Sequence, residues 1–196
     1  MDDALRTLLD DLYAEGLTAD AVEPDRLRRR RNLEPDAAAL LTLIMRMAGV
    51  RVVVEIGTGN GYSAIWLADA VRDTGGHLTS VDVASPASAV VNLARAGLGG
   101  LVTFEVGDGG GYLERLPDGS VDLLFLDAER VQYAGWWPAP RRVIRAGGIL
   151  AVDNVLSHPD EVAPFLALTG ADPALTGTTV AVGKGLHLAW RRPEPG

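Results

Sequence analysis

Residues 51–63, Arg-Val-Val-Val-Glu-Ile-Gly-Thr-Gly-Asn-Gly-Tyr-Ser, constrain the chain more than any other stretch. An unbroken β-branched run gives way to glycines at alternate positions and then to a helical pattern. This reads as a buried strand feeding a ligand loop at the first turn of an α/β sheet. Gly57, Gly59 and Gly61 lack a Cβ and can take positive φ, so the backbone can pass close beneath a flat or anionic ligand. Asp82 ends the next apolar run, His77 to Val81, and lies 21 residues beyond Gly61, where a carboxylate accepting both hydroxyls of a ribose belongs. Taken alone, the glycine loop fits more than one cofactor class, and also a plain tight turn.

From residue 51 onward, strand-like runs (51–56, 77–82, 101–106, 121–126, 148–153) alternate with helical stretches near 62–73, 86–97, 109–116, 130–145 and 159–168. Five βα units predict a parallel, doubly wound sheet. Thr178 to Val182 and Leu186 to Arg191 have only a Gly-Lys-Gly turn between them, which predicts a closing antiparallel hairpin and seven strands in all. Ahead of the sheet, residues 2–15 read as an amphipathic helix ended by Gly16, and Pro35 opens a second helix running to Met47. We expect one domain over 1–196, with the helices of 1–48 contributing to a substrate site or a homodimer contact, and a frayed end from Pro193 to Gly196.

The net charge of −8 argues against nucleic acid or an anionic membrane as a partner. No apolar run approaches the roughly 20 residues a bilayer needs, and Met-Asp-Asp-Ala does not begin a signal peptide, so a cytoplasmic location is expected. With no cysteine, any metal must be held by oxygen or imidazole. Arg26 and Arg28 to Arg31 form a basic patch, read as a solvated connector pairing with nearby acids or, alternatively, as a clamp for an anionic substrate.

Ligands of open α/β sheets bind beyond the carboxyl ends of the strands, and there this sequence is repeatedly acidic. The runs end at Asp82, Gly107-Asp108, Asp127 and Asp153-Asn154. Asp108 is either the cap of the following helix or a contact near an adenine. Asp127, Asp153 and Asn154 end what should be neighbouring strands, and two carboxylates with an amide oxygen suit Mg²⁺ or Mn²⁺ while leaving positions for water and substrate. Alternatively, Asp127 caps a helix starting at Glu129 and Asn154 completes a turn.

With these residues assembled, the chain resembles the cation-dependent class I S-adenosylmethionine O-methyltransferases of the catechol and caffeoyl-coenzyme A type, in particular their small bacterial relatives. The resemblance runs from Asn32-Leu33-Glu34-Pro35 through the E-x-G-x-G-x-G loop at Glu55–Gly61, then Tyr62-Ser63, Asp82, Gly107-Asp108 and Leu126-Asp127-Ala128-Glu129-Arg130, to Gly147-Gly148 and Asp153-Asn154. It implies a Rossmann-like fold and S-adenosylmethionine as cofactor. Gly57, Tyr62 and Ser63 would hold the methionine part, the backbone at Leu33 would close over its carboxylate, and Asp82 would take the ribose. Glu55, Thr58, Gly59, Gly61, Val83, Gly107, Asp108 and Asp127 complete the implied cofactor set. Asp127, Asp153 and Asn154 would ligate Mg²⁺, which would hold a small vicinal dihydroxy aromatic acceptor.

Two positions depart from the family. Arg130 stands where these enzymes usually place a lysine base, and a guanidinium cannot take a proton at neutral pH. It could stabilise a phenolate or simply pair with Glu129. His158, in Val155-Leu156-Ser157-His158-Pro159, is the candidate base with a suitable pKa, or only a residue at a helix start. Trp136 and Trp137 could stack an aromatic acceptor, though packing is the simpler reading. Three alternatives remain: a metal-independent O- or N-methyltransferase, a catalytically inactive cofactor-binding relative, and an oxidoreductase of the same fold, against which this sequence has neither G-x-G-x-x-G nor Tyr-x-x-x-Lys.

Overall fold

The structure is a computed structural model and describes residues 1–193; most of the expected frayed end therefore lies outside the described residues. Seven strands form one sheet: β1 (Val52–Ile56), β2 (His77–Asp82), β3 (Val102–Val106), β4 (Val121–Leu126), β5 (Ile144–Val152), β6 (Leu175–Val180) and β7 (Leu186–Arg191). Their order is β3-β2-β1-β4-β5-β7-β6. The first five strands are parallel, and β7 lies antiparallel to both β5 and β6, as the expected hairpin requires. The chain thus winds outward from β1 to β3, returns, and winds the other way from β4, which opens a crevice above β1 and β4.

Strand residues alternate between two cores. Val53, Leu78, Leu123 and Phe125 face α1 (Asp3–Val22), α2 (Pro35–Met47) and α3 (Tyr62–Thr74). Val54, Ile56, Leu124 and Leu126 face the other layer, with Leu113 of α5 (Gly109–Arg115), Val143 of α6 (Ala139–Val143) and Phe165 of α7 (Pro159–Ala171). Apolar residues on both strand faces therefore specify helices on both sides. The helix α4 (Ala87–Arg95) joins β2 to β3. No helix is long and apolar enough to cross a membrane among the described residues.

Three expected boundaries move. α1 passes through Gly16 and ends at Val22, two residues before Pro24. Gly16 is not a stop: it is buried, and a Cβ there would meet the Asn32 amide nitrogen, which donates to the Leu12 carbonyl at 3.1 Å. The expected helix over 130–145 is instead a 3₁₀ stretch (Arg130–Trp136), the short α6, and the start of β5 at Ile144. Pro138 and Pro140 lack the N–H groups a continuous helix would use. β6 begins at Leu175 rather than Thr178, because its pairing with β7 extends as far as Leu175 opposite Arg191.

Candidate active site

A cleft of about 850 Å³ lies over the carboxyl ends of β1, β2 and β4 and extends past β5. Gly57, Thr58, Gly59, Tyr62, Ser63, Asp82, Val83, Gly107, Asp108, Asp127, Arg130, Asn154 and His158 all line it, so most of the residues singled out by sequence meet in one place.

At the β1–β2 end the loop is shaped by what glycine permits. Gly57 has φ of 111°, and a Cβ there would overlap the Asp127 carbonyl oxygen. One oxygen of Asp82 accepts from the backbone N–H groups of Thr58 (2.9 Å) and Gly59 (3.0 Å), and the other accepts from Ala84 N–H (2.9 Å). Asp82 therefore organises the loop itself, with one of its roughly four acceptor sites left for a ligand hydroxyl. Glu55 lies beneath the loop, wholly buried, rather than facing a ligand. It accepts from Ser80 Oγ at 2.5 Å, and Ser80 meets Thr58 Oγ1 at 2.7 Å. Burial pushes its carboxyl up to about 7.

Gly61 and Leu33 also take supporting roles. Gly61 has φ of 81° and caps α3, where a Cβ would strike Ala89 of α4; Leu33 is buried in the core. Asp108 caps α5 by accepting from Gly111 N–H at 2.7 Å, the first of its two readings, and it also lines the cleft.

The cleft wall includes Trp136, read from sequence as either a stacking or a packing residue, and others that the sequence did not single out. Trp136 lies against Gly109 and Gly110, where a Cβ would overlap Ile56 at the first and the indole at the second, and its ring lines the cleft. Trp137 instead packs edge-on against Phe165 at 6.0 Å. The buried Asn60 amide nitrogen has no partner in the cleft-lining loop, a free donor for an anionic or carbonyl group of a ligand. Lys184, in the turn between β6 and β7, also lines the cleft and was missed because a Gly-Lys-Gly turn reads only as a turn.

At the β4–β5 end, Asp127 and Asp153 terminate adjacent strands, and Asn154 Nδ2 donates to Asp127 Oδ1 at 3.0 Å. Asn154 adopts φ of 66°, a left-handed conformation that asparagine tolerates better than most side chains. Burial, then the neighbouring Asp153, raises the Asp127 carboxyl well above its usual range, and burial lifts Asp153 to about 6. Asp153 Oδ1 is buried without a partner. Two crowded carboxylates with an orphan oxygen fit a hard cation. The set is small, since no cluster of three or more acidic or imidazole ligands occurs among the described residues.

Arg130 pairs with Glu161 on α7, not with Glu129: its Nε and Nη2 lie 3.0 and 2.8 Å from Glu161 Oε2, and it is only 4% exposed. Glu129 is taken by Arg31 at 2.8 Å. His158 precedes α7, with Nδ1 2.9 Å from Ser157 Oγ. Burial, reinforced by Arg130, lowers its pKa, so the ring is neutral at pH 7 and able to accept a proton. The arginine patch lines the rim, where Arg26 meets Glu161 and Arg30 meets Glu15, the pairing the simpler reading expected.

Known proteins carry this same frame. The O-methyltransferase family matches residues 17–165. The chain belongs to that family. A Mycolicibacterium smegmatis protein classed among the O-methyltransferases is 32% identical over 172 residues, covering 80% of this chain and 81% of its own. Among solved structures, cofactor-bound Rv0187 from MTB superposes with a TM-score of 0.77 at 29% identity, covering 99% of this chain and 92% of that one. TomG, an O-methyltransferase of Streptomyces achromogenes involved in tomaymycin synthesis and solved in complex with SAM, gives 0.75 at 26% identity over 98% and 91%. Family membership makes this O-methyltransferase an enzyme of the S-adenosylmethionine-dependent kind, on the class I fold that the sheet order displays.

Proposed function

We propose that this O-methyltransferase acts on a small aromatic acceptor bearing two adjacent hydroxyls, with Mg²⁺ held by Asp127, Asp153 and Asn154. The observation that carries this reading is the buried Asp127–Asp153 pair, charged only at a cost, with an orphan oxygen on Asp153 and with the neighbouring Asp127 and Asn154 lining the cleft. When bound, the cation supplies Lewis acidity that lowers an acceptor hydroxyl's pKa and favours acceptors with paired oxygens. The chain does the rest. The glycine loop and the donors around Asn60 hold the methionine end of S-adenosylmethionine, Asp82 takes the ribose, and Trp136 with Gly109 walls the adenine end. In the transfer itself a new O–C bond forms as the S–C bond breaks in line, leaving a neutral thioether. The acceptor proton goes to the neutral His158 imidazole. Arg130, pinned by Glu161, stays charged and takes no proton.

The deciding experiment pairs calorimetry of S-adenosylhomocysteine with methyl transfer to a catechol, each with and without excess chelator. Cofactor binding should survive chelation while turnover stops. Full turnover in chelator would overturn the metal assignment and favour metal-independent transfer.

A further inference from the structure

Lys184 is the only lysine in the chain; the other seventeen of its eighteen Lys and Arg residues are arginine. It sits in a turn whose construction fixes it. Gly183 and Gly185 have φ of 54° and 93°; a Cβ on the first would come within 2.7 Å of Glu34 Cβ, and on the second within 2.5 Å of Leu156 Cγ. The Lys184 carbonyl accepts from the backbone N–H groups of Leu156 and Ser157 at 3.0 and 3.1 Å, which zips the turn to the segment following Asn154. Its ammonium lies 2.8 Å from Glu34 Oε1, while Tyr13 OH bonds the other oxygen of that carboxylate. Glu34 thus occupies one of three ammonium donors, and the side chain, 42% exposed, lines the same cleft as Asn154 and His158. Among the other cations lining the cleft, Arg130 and Arg26 are committed to Glu161 and Arg31 to Glu129.

We propose that Lys184 is the cation of the acceptor subsite, holding an anionic oxygen of the acceptor with the ammonium donors that Glu34 leaves free. This deepens the methyltransferase reading and rests on it. The anionic oxygen has two sources, the ionised phenol that receives the methyl group or a carboxylate elsewhere on the acceptor. A compact ammonium, unlike a planar guanidinium, can serve either one beside Glu34.

The test uses the intact protein and two acceptors, catechol and 3,4-dihydroxybenzoate. S-adenosylhomocysteine should bind wild type and Lys184→Met equally by calorimetry; failure of wild type to bind it would count against the methyltransferase reading rather than against Lys184. If the phenolate is the partner, Lys184→Met lowers kcat about 10- to 100-fold on both acceptors, the worth of a charge-assisted hydrogen bond. If the carboxylate is the partner, KM rises by a similar factor for the benzoate alone. Lys184→Arg, which keeps the charge, should recover part of either loss. Because there is one lysine, ¹⁵N-lysine labelling yields a single side-chain ammonium signal. In the S-adenosylhomocysteine complex 3,4-dihydroxybenzoate should move it in either case, catechol only if the phenolate is the partner, and 1,2-dimethoxybenzene in neither. An unmoved signal with both acceptors overturns the proposal, even where Lys184→Met fails to fold. So does unchanged turnover in a folded Lys184→Met.

Discussion

At the β1–β2 end of the cleft the backbone donors of Thr58 and Gly59 already have the Asp82 carboxylate as partner, and the glycine turn closes on itself through Gly61 N–H to the Thr58 carbonyl at 2.9 Å. At the β4–β5 end, barely one strand away, Asp127 and Asp153 are buried together with raised pKa values and an unpartnered oxygen. The first end is largely paired in advance through Asp82, with the Asn60 amide nitrogen and one Glu55 oxygen left without partners, while the second holds two neighbouring carboxylates whose charged forms burial disfavours. Preorganised backbone donors hold their geometry at little cost, whereas crowded carboxylates destabilise the empty fold and are relieved by binding. The cofactor end should therefore report on loop geometry, and the acceptor end on charge.

The largest effect that could break this contrast comes from Asp153→Asn. Methyl transfer to a vicinal diol should fall by roughly a thousandfold or more, on the order of a lost catalytic metal site. The same substitution should raise the melting temperature of the metal-free protein at pH 8, because it removes a carboxylate whose charged form burial disfavours. Added Mg²⁺ should stabilise wild type but not the variant. A variant that is less stable than wild type without metal would show that the acceptor end is not strained.

Glu55 tests the boundary between the two ends, since it lies beneath the cofactor loop yet is itself a buried acid. Its carboxyl is raised from 4.5 to about 7. Between those pH values the folded state keeps a proton that the unfolded chain has released, so stability falls as pH rises through the window and stays reduced above 7. Glu55→Gln should lessen that fall by about 3 kcal/mol at pH 8, leaving the part due to Asp127 and Asp153. Chemical denaturation at pH 4.5 and pH 8 measures it, and parallel pH dependence in the two proteins would contradict the burial argument.

These two acids also show what the sequence could reveal. Strand ends, the glycine loop, and the convergence of Asp82, Asp127 and Asn154 were legible because continuous apolar runs and parallel-sheet topology place them together. Glu55 was legible as a motif residue but not as a buried one, since its position under the loop depends on Ser80 and Thr58 across two strands. Arg130 was read as a departure, but its partner Glu161 lies 31 residues away and no local spacing links them. Trp136 was legible only as a choice between stacking and packing, and Lys184 escaped because only the hairpin carries it beside the segment after Asn154.

Asp82→Ala sharpens the contrast from the cofactor side. The carboxylate accepts three backbone N–H groups, so its loss should weaken S-adenosylhomocysteine binding by about 2 kcal/mol and lower fold stability as well, the loop donors being left unpaired. Calorimetry and thermal unfolding on the same sample separate the two. Weakened binding with unchanged stability would mean that the loop holds its shape without Asp82.

The smallest effect concerns His158, which stands at the acceptor end but carries no buried negative charge. Its ring is already neutral at pH 7, since burial and Arg130 lower its pKa below 6.5. Wild-type turnover should therefore be flat above neutrality and decline as the imidazole takes up a proton in mildly acidic solution. His158→Ala should lower kcat about tenfold at pH 7 and replace that plateau with a rate that climbs with pH, as ionisation of the acceptor takes over from the lost base. Ser157→Ala, which removes only the hydroxyl 2.9 Å from Nδ1, should leave the plateau in place and change kcat little. If His158→Ala keeps both the rate and the plateau, the histidine does no more than begin α7, and the proton leaves the acceptor directly to water.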